Sequence, residues 1–233
     1  MAQPGGFTVW LTGMLGAGKT TLANYLAARM RQVGRKVEVL DEEEVAEALW
    51  AELQTDSKEE RIKVIQRLGF VAHALTRNDV ATVVAATSPY KTPREQQRRA
   101  IGRYVEVYVD CPTEKLIQRD TTGKYKKALS GEIPNFVGIT EPYEPPGSPE
   151  VTIHSDVESV ESGGLKIFQA LLDLSYMTSE ELKIITGTRM KAQKPQKGGR
   201  RAARPVVRAR PPARAARTAR APKAAKAKAK GKR

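Results

Sequence analysis

Eight residues near the start of the chain, Gly13-Met14-Leu15-Gly16-Ala17-Gly18-Lys19-Thr20, constrain it more than any other stretch. They match G-x-x-x-x-G-K-[ST] at every fixed position. An apolar run, Phe7–Thr12, precedes them, and Leu22, Leu26, Met30 and Val33 follow at helical spacing. A strand, a glycine turn and a helix in that order make a phosphate cradle. The glycines let backbone N–H groups converge on an anion with no Cβ in the way, and the helix adds its unpaired N-terminal amides and the positive end of its dipole. This chemistry assigns Gly13, Gly16, Ala17, Gly18, Lys19, Thr20 and Thr21 to binding a nucleoside triphosphate, with Lys19 at the β- and γ-phosphates and the Thr20 hydroxyl on Mg²⁺. Lys19 is also a catalytic candidate, because its charge meets the negative charge that builds on the bridging oxygen during transfer.

Beyond this loop, short apolar runs alternate with longer amphipathic ones, the pattern of a parallel sheet with crossover helices. The expected fold is α/β, a P-loop NTPase-type three-layer α/β/α arrangement around a mainly parallel five-stranded sheet. The strands read as Phe7–Thr12, Lys36–Leu40, Val80–Ala86, Tyr104–Val109 and Val151–His154. Helices are expected over Lys19–Val33, Glu42–Leu53, Lys58–Thr76, Pro93–Ile101, Thr113–Gln118 and Gly164–Leu174. Thr121–Gly147 is aperiodic and rich in Gly, Pro and Lys, which predicts a long lid-like loop. The kinase domain is expected over 1–174, followed by a short helical extension over 175–190 with Thr178 as a cap for Ser179–Thr186.

Composition divides the chain again at residue 191. From Lys191 to Arg233 there are 17 Lys or Arg, 13 Ala and 5 Pro, and no acidic residue. Residues 1–190 hold 23 basic and 26 acidic side chains, so a body of charge −3 carries a tail of +17 within the formal +14. Such a tail cannot bury enough apolar surface to offset its ordering entropy, which predicts disorder and nonspecific contact with polyanions such as nucleic acid. It has no aromatic residue for base stacking. Cys111 is the only cysteine, which excludes an intrachain disulfide and a cysteine zinc cluster. No secretory signal or membrane-spanning run is visible, so the expected location is the cytoplasm. A homodimer is one assembly left open.

The acceptor side follows from what comes after the other strands. Asp41-Glu42-Glu43-Glu44 falls at the C-terminal edge of the sheet, where open α/β folds bind ligands. Asp41 is a candidate Mg²⁺ ligand, and Asp41 and Glu43 are catalytic candidates, whereas Glu42 and Glu44 read more simply as residues favouring a helix start. Taken with Thr87-Ser88-Pro89-Tyr90, Arg119-Asp120 and the stretch from Gly123 to Glu144, these motifs resemble the adenylylsulfate (APS) kinase family. The loop carries the most specific part of that resemblance: Tyr125-Lys126-Lys127-Ala128, Gly131-Glu132-Ile133, Phe136, Gly138-Ile139 and Pro142-Tyr143-Glu144-Pro145.

That resemblance, over roughly residues 7–174, implies transfer of the ATP γ-phosphate to the 3′-hydroxyl of APS, giving PAPS and ADP. It implies that Arg119 borders the ATP adenine. Phe136 would stack on the acceptor's adenine, and Arg61, Tyr90, Lys126 and Lys127 would serve the acceptor. Ser88 matches a serine that the family associates with a phosphoserine intermediate, and a role in binding the acceptor fits direct in-line transfer better. The family's Asp-Gly-Asp-x-hydrophobic-Arg reads Asp41-Glu42-Glu43-Glu44-Val45-Ala46 here. Its Asn and one Arg on the next helix are Val64 and Gln66. These departures fall on the acceptor side and favour, as the alternative, a kinase of another nucleotide-linked acceptor. A nucleic-acid-binding protein acting through its tail is the alternative of a different class.

Overall fold

The computed structural model describes residues 5–53 and 55–187. The basic tail from residue 191 lies outside them, and with it the expectation of disorder and polyanion contact. The elements run β1 (Phe7–Thr12), α1 (Lys19–Gln32), β2 (Val37–Asp41), α2 (Ala46–Trp50), α3 (Lys58–Thr76), β3 (Ala81–Ala85) and α4 (Lys91–Ile101). They continue with β4 (Tyr104–Asp110), α5 (Thr113–Arg119), α6 (Lys124–Leu129), β5 (Val151–His154), α7 (Val160–Asp173) and α8 (Ser179–Thr186). The five strands form one sheet in the order β2-β3-β1-β4-β5, and every pairing is parallel. β1 and β3 are buried along their whole length, as their unbroken apolar and β-branched sequences require of strands covered on both faces.

Alternation along β1 divides the core. Phe7, Val9 and Leu11 face one side, where they pack with Leu22 and Leu26 of α1, Ile167 and Phe168 of α7, and Leu182 and Ile185 of α8. Trp10 faces the other side, with Val64, Ile65 and Leu68 of α3 and Ile101 of α4. Helices on both faces of a parallel sheet make the three layers. Register brings Leu11 level with Ala85 and Thr12 level with Tyr108, so the loops after β1, β3 and β4 emerge along one edge. Among the described residues no helix is long and apolar enough to cross a membrane.

α7 starts at Val160 and α4 at Lys91, earlier than the expected Gly164 and Pro93, and three further segments differ from the sequence expectation. The helix expected from Glu42 starts only at Ala46, because Glu42 and Glu43 are drawn into other bonds. The Glu42 backbone N–H donates to the Ala85 carbonyl at 2.9 Å, and that of Glu43 donates to Asp41 Oδ1 at 3.0 Å. The long loop contains a helix, α6, whose start is fixed by the Asp120 carboxylate accepting from the Thr122 and Tyr125 backbone N–H groups. α8, expected as an extension, is part of the main core, with Leu182 1% and Ile185 5% exposed.

Charge as well as apolar surface holds α8. Thr178 and Glu181 form a reciprocal capping box at its start. The Glu181 carboxylate also receives Arg35 Nε at 2.6 Å and Nη2 at 3.0 Å, a forked pair almost closed to solvent. Removing one partner would strand the other as a buried charge. Glu181→Ala should therefore cost about 3–5 kcal/mol in urea unfolding. Ile184→Ser on the same helix, where the side chain is 62% exposed, should stay within about 0.5 kcal/mol.

Candidate active site

The cradle is built where β1 runs out. A Cβ on Gly13 would lie 2.3 Å from the Val109 carbonyl oxygen, so the turn off β1 can pass β4 only as glycine. Gly18, at φ 99°, holds the left-handed backbone conformation that delivers the chain into α1. Lys19 follows, 9% exposed, with its ammonium donating to the Gly13 and Met14 carbonyls, each at 2.8 Å. Burial lowers its pKa, and Glu42, Asp41 and Glu43 pull against that shift. A cavity of about 370 Å³ opens above the loop, lined by Gly16, Gly18, Lys19, Thr20, Thr21 and Arg119 among others.

Thr20 and Asp41, assigned separately to Mg²⁺, come together here. The Thr20 hydroxyl donates to Asp41 Oδ2 at 2.6 Å. A hydroxyl beside a carboxylate is a hard oxygen pair of the kind Mg²⁺ takes, with nucleotide phosphates and water completing its shell. Arg119 is seated at the rim by Ser155, donating to its carbonyl at 2.8 Å and to its hydroxyl at 3.3 Å.

A second cavity of about 290 Å³ adjoins the first, lined by Arg61, Ser88, Pro89, Asn135 and Phe136 among others. Leu15, Glu42, Thr87 and Lys124 line both. Glu42 Oε2 accepts from the Thr87 N–H at 2.6 Å, tying the end of β2 to the turn after β3. Arg61 donates through Nη2 to the Asn135 carbonyl, while its Nη1, buried, has no hydrogen-bond partner. Ser88 is 1% exposed and its hydroxyl accepts from the Trp10 indole N–H at 3.1 Å. Its φ of 43° is a left-handed value that costs a non-glycine residue on the order of 1–3 kcal/mol. Bonds to its carbonyl from Arg94 and Thr12 hold it there.

Several further bonds fasten the long loop over this second cavity. Tyr125 Oη donates to the Leu15 carbonyl at 2.8 Å, and the Tyr125 ring meets Phe136 edge-on at 4.9 Å between centroids. Tyr90 Oη donates to Glu141 Oε1 at 2.9 Å, so Tyr90 holds the loop and lies outside the cavity walls. Arg94, 1% exposed, spends its guanidinium on Glu106 (2.9 Å), the Ser88 carbonyl and the Glu144 carbonyl (2.7 Å).

Other residues sit elsewhere than expected. Lys126 and Lys127 are exposed on α6 and line neither cavity, whereas Lys124, at the start of the same helix, lines both. Glu43 is exposed and lines only the donor cavity. Val64, read as a lost acceptor contact, is 1% exposed and packs in the core beside Trp10, and Ala46 packs against the same cluster. Helical periodicity could have placed Val64, because Val64, Ile65 and Leu68 make one apolar face. No sequence signal marks Arg94 or Lys124.

A glycine cradle with its lysine, an oxygen pair for a metal and an adjoining second cavity on a parallel α/β sheet define a P-loop kinase, an ATP-dependent transferase. A family model described as adenylylsulphate kinase matches residues 5–154, and the chain belongs to that family. An adenylyl-sulfate kinase of Picosynechococcus sp. is 46% identical over 173 residues, which are 74% of this chain and 97% of that one. One of Halothermothrix orenii is 41% identical over 181 residues, 78% of this chain and 97% of its own. The Mycobacterium tuberculosis APS kinase in complex with AMPPNP and APS is similar with a TM-score of 0.68 at 31% identity, over 72% of this chain and 98% of that chain.

Lys19→Ala should leave the circular dichroism spectrum unchanged and lower kcat by at least about 10²-fold, the order expected on removing one contact to developing charge. Single-turnover kinetics checks it, and wild-type turnover by the variant would rule out the loop's part in transfer.

Proposed function

We propose that this protein transfers the γ-phosphate of ATP to the 3′-hydroxyl of APS, giving PAPS and ADP. The observation that carries this reading is the pair of cavities with a common wall, one over the phosphate cradle and one under the loop that holds Phe136. In-line transfer needs its two substrates end to end at such a wall, and most of the catalysis is then positioning and electrostatics. Gly13–Thr20 holds the triphosphate, Lys19 offsets charge on the transferring group, and Arg119 borders the nucleotide base. Mg²⁺ held near Thr20 and Asp41 would neutralise phosphate charge when bound.

On the acceptor side, Phe136 offers a ring to the purine, and the unpartnered Arg61 Nη1 offers a charged donor. Ser88 lines the acceptor cavity and not the donor cavity, which supports positioning of the acceptor over a phosphoserine step. The alternative of a different acceptor rested on Ala46 and Val64, and neither lines either cavity.

Purified protein with ATP, Mg²⁺ and APS should form PAPS and ADP in equal amounts, followed by chromatography. ATP binding without PAPS would defeat the proposal. Arg61→Ala removes a charge-assisted contact worth about 1.5–3 kcal/mol, so KM for APS should rise roughly 10- to 100-fold with ATP affinity unchanged. Segment 121–147 should gain hydrogen-exchange protection when ADP and APS bind together; unchanged exchange would speak against its acting as a lid.

A further inference from the structure

We infer that Arg94 is a positioning residue for the acceptor, acting through Ser88, a role that rests on the kinase reading above. Arg94 lines neither cavity and is closed to solvent, so whatever it does for a substrate it does through the groups it holds.

Ser88 needs holding. Its left-handed φ of 43° is a conformation that a residue with a side chain keeps only where its surroundings enforce it. There its hydroxyl accepts from Trp10 Nε1 at 3.1 Å. The hydroxyl's own proton has no acceptor among the described residues and is left for whatever fills the acceptor cavity that Ser88 lines. Arg94 Nη1 donates to the Ser88 carbonyl at 2.5 Å, a closer hold than the 3.4 Å contact from the Thr12 hydroxyl.

The same guanidinium ties this turn to two other anchored groups. Nε donates to Glu106 Oε1 on β4 at 2.9 Å, and Nη2 donates to the Glu144 carbonyl, where the loop returns, at 2.7 Å. Glu106 is fixed from behind by Arg98 Nη2 at 3.2 Å, and its own N–H donates to Glu150 Oε2 at 2.6 Å. Glu144 is fixed at two further atoms. Its N–H donates to the Pro89 carbonyl at 2.8 Å, and its Oε2 accepts from the Lys91 N–H at 2.7 Å. A planar fork between anchored partners sets the Ser88 carbonyl in direction as well as distance, which an ammonium on a flexible stem does not. Pairing with Glu106 alone would satisfy the buried charge; the two carbonyl bonds serve position.

Arg94→Lys keeps a charge beside Glu106 and loses the fork. Its KM for APS should rise roughly 10-fold, the loss of one bond from a charged donor, with kcat at saturating APS and affinity for a non-hydrolysable ATP analogue retained. The chain's two tryptophans, Trp10 and Trp50, supply a readout independent of turnover. In nuclear magnetic resonance spectra the Trp10 indole N–H signal should shift, because its Ser88 partner moves, and that of Trp50 should stay in place. Arg98→Lys alters a partner of the same carboxylate and touches neither Ser88 nor Glu144, so it should leave KM for APS unchanged. Adding Arg94→Lys to Ser88→Ala should raise KM little further, since the hydroxyl that Arg94 places is already gone. Arg94→Met with Glu106→Gln strands no buried charge and carries the same expectations where the single variant folds poorly. An unchanged KM for APS, an unmoved Trp10 signal, an equal loss of ATP-analogue affinity, or a full further effect in the Ser88→Ala background would overturn the role while leaving the proposed function standing. Wild-type protein that binds ATP and makes no PAPS would overturn both.

Discussion

The burial of β1 on both faces is the constraint from which the site follows. All six of its residues are inaccessible, and it is paired to β3 on one side and β4 on the other, so it has no freedom to shift in register. Whatever follows its last residue is therefore delivered to one point on the sheet edge. Thr12 marks that point, its hydroxyl donating to the Thr87 carbonyl and sharing a 2.8 Å bond with Tyr143 Oη. The cradle, the turn after β3 and the stem of the long loop are thus referred to one fixed strand end.

Buried charge does the equivalent work for the loop. Arg94 reaches Glu106 on β4, and Arg98 joins Glu106 to Glu150. A guanidinium presents five donors in a rigid plane, so once Glu106 sets its orientation the remaining N–H groups can fix two carbonyls at set positions. Those carbonyls belong to Ser88 and Glu144, one at the acceptor cavity and one where the loop returns. An ion pair in such a place contributes little net stability, and its value lies in geometry.

The phosphate cradle and the parallel sheet were legible in the sequence because both rest on local pattern: glycine spacing, and apolar runs of strand length. The Asp41 position was legible for a related reason, since the residue that ends a parallel strand must emerge at the ligand edge. What escaped depends on partners distant in sequence. Glu42 looked like a helix start because acidic residues favour one, and only the Thr87 amide, brought alongside by the pairing of β2 with β3, takes its side chain elsewhere. Lys124 and Lys126 are alike in composition, and the facing of α6 is set by Tyr125 reaching Leu15, which no local pattern encodes. Val64 was misread for the opposite reason, because a correspondence of motifs outweighed an apolar face that was already visible.

The wall shared by the two cavities has a thermodynamic consequence. Leu15, Glu42, Thr87 and Lys124 touch whatever occupies either side, so each substrate alters the surroundings into which the other binds. Free energy is a state function, so the factor by which nucleotide changes acceptor affinity must equal the factor by which acceptor changes nucleotide affinity. A substitution in this wall that changes the coupling therefore changes it by the same factor for both substrates.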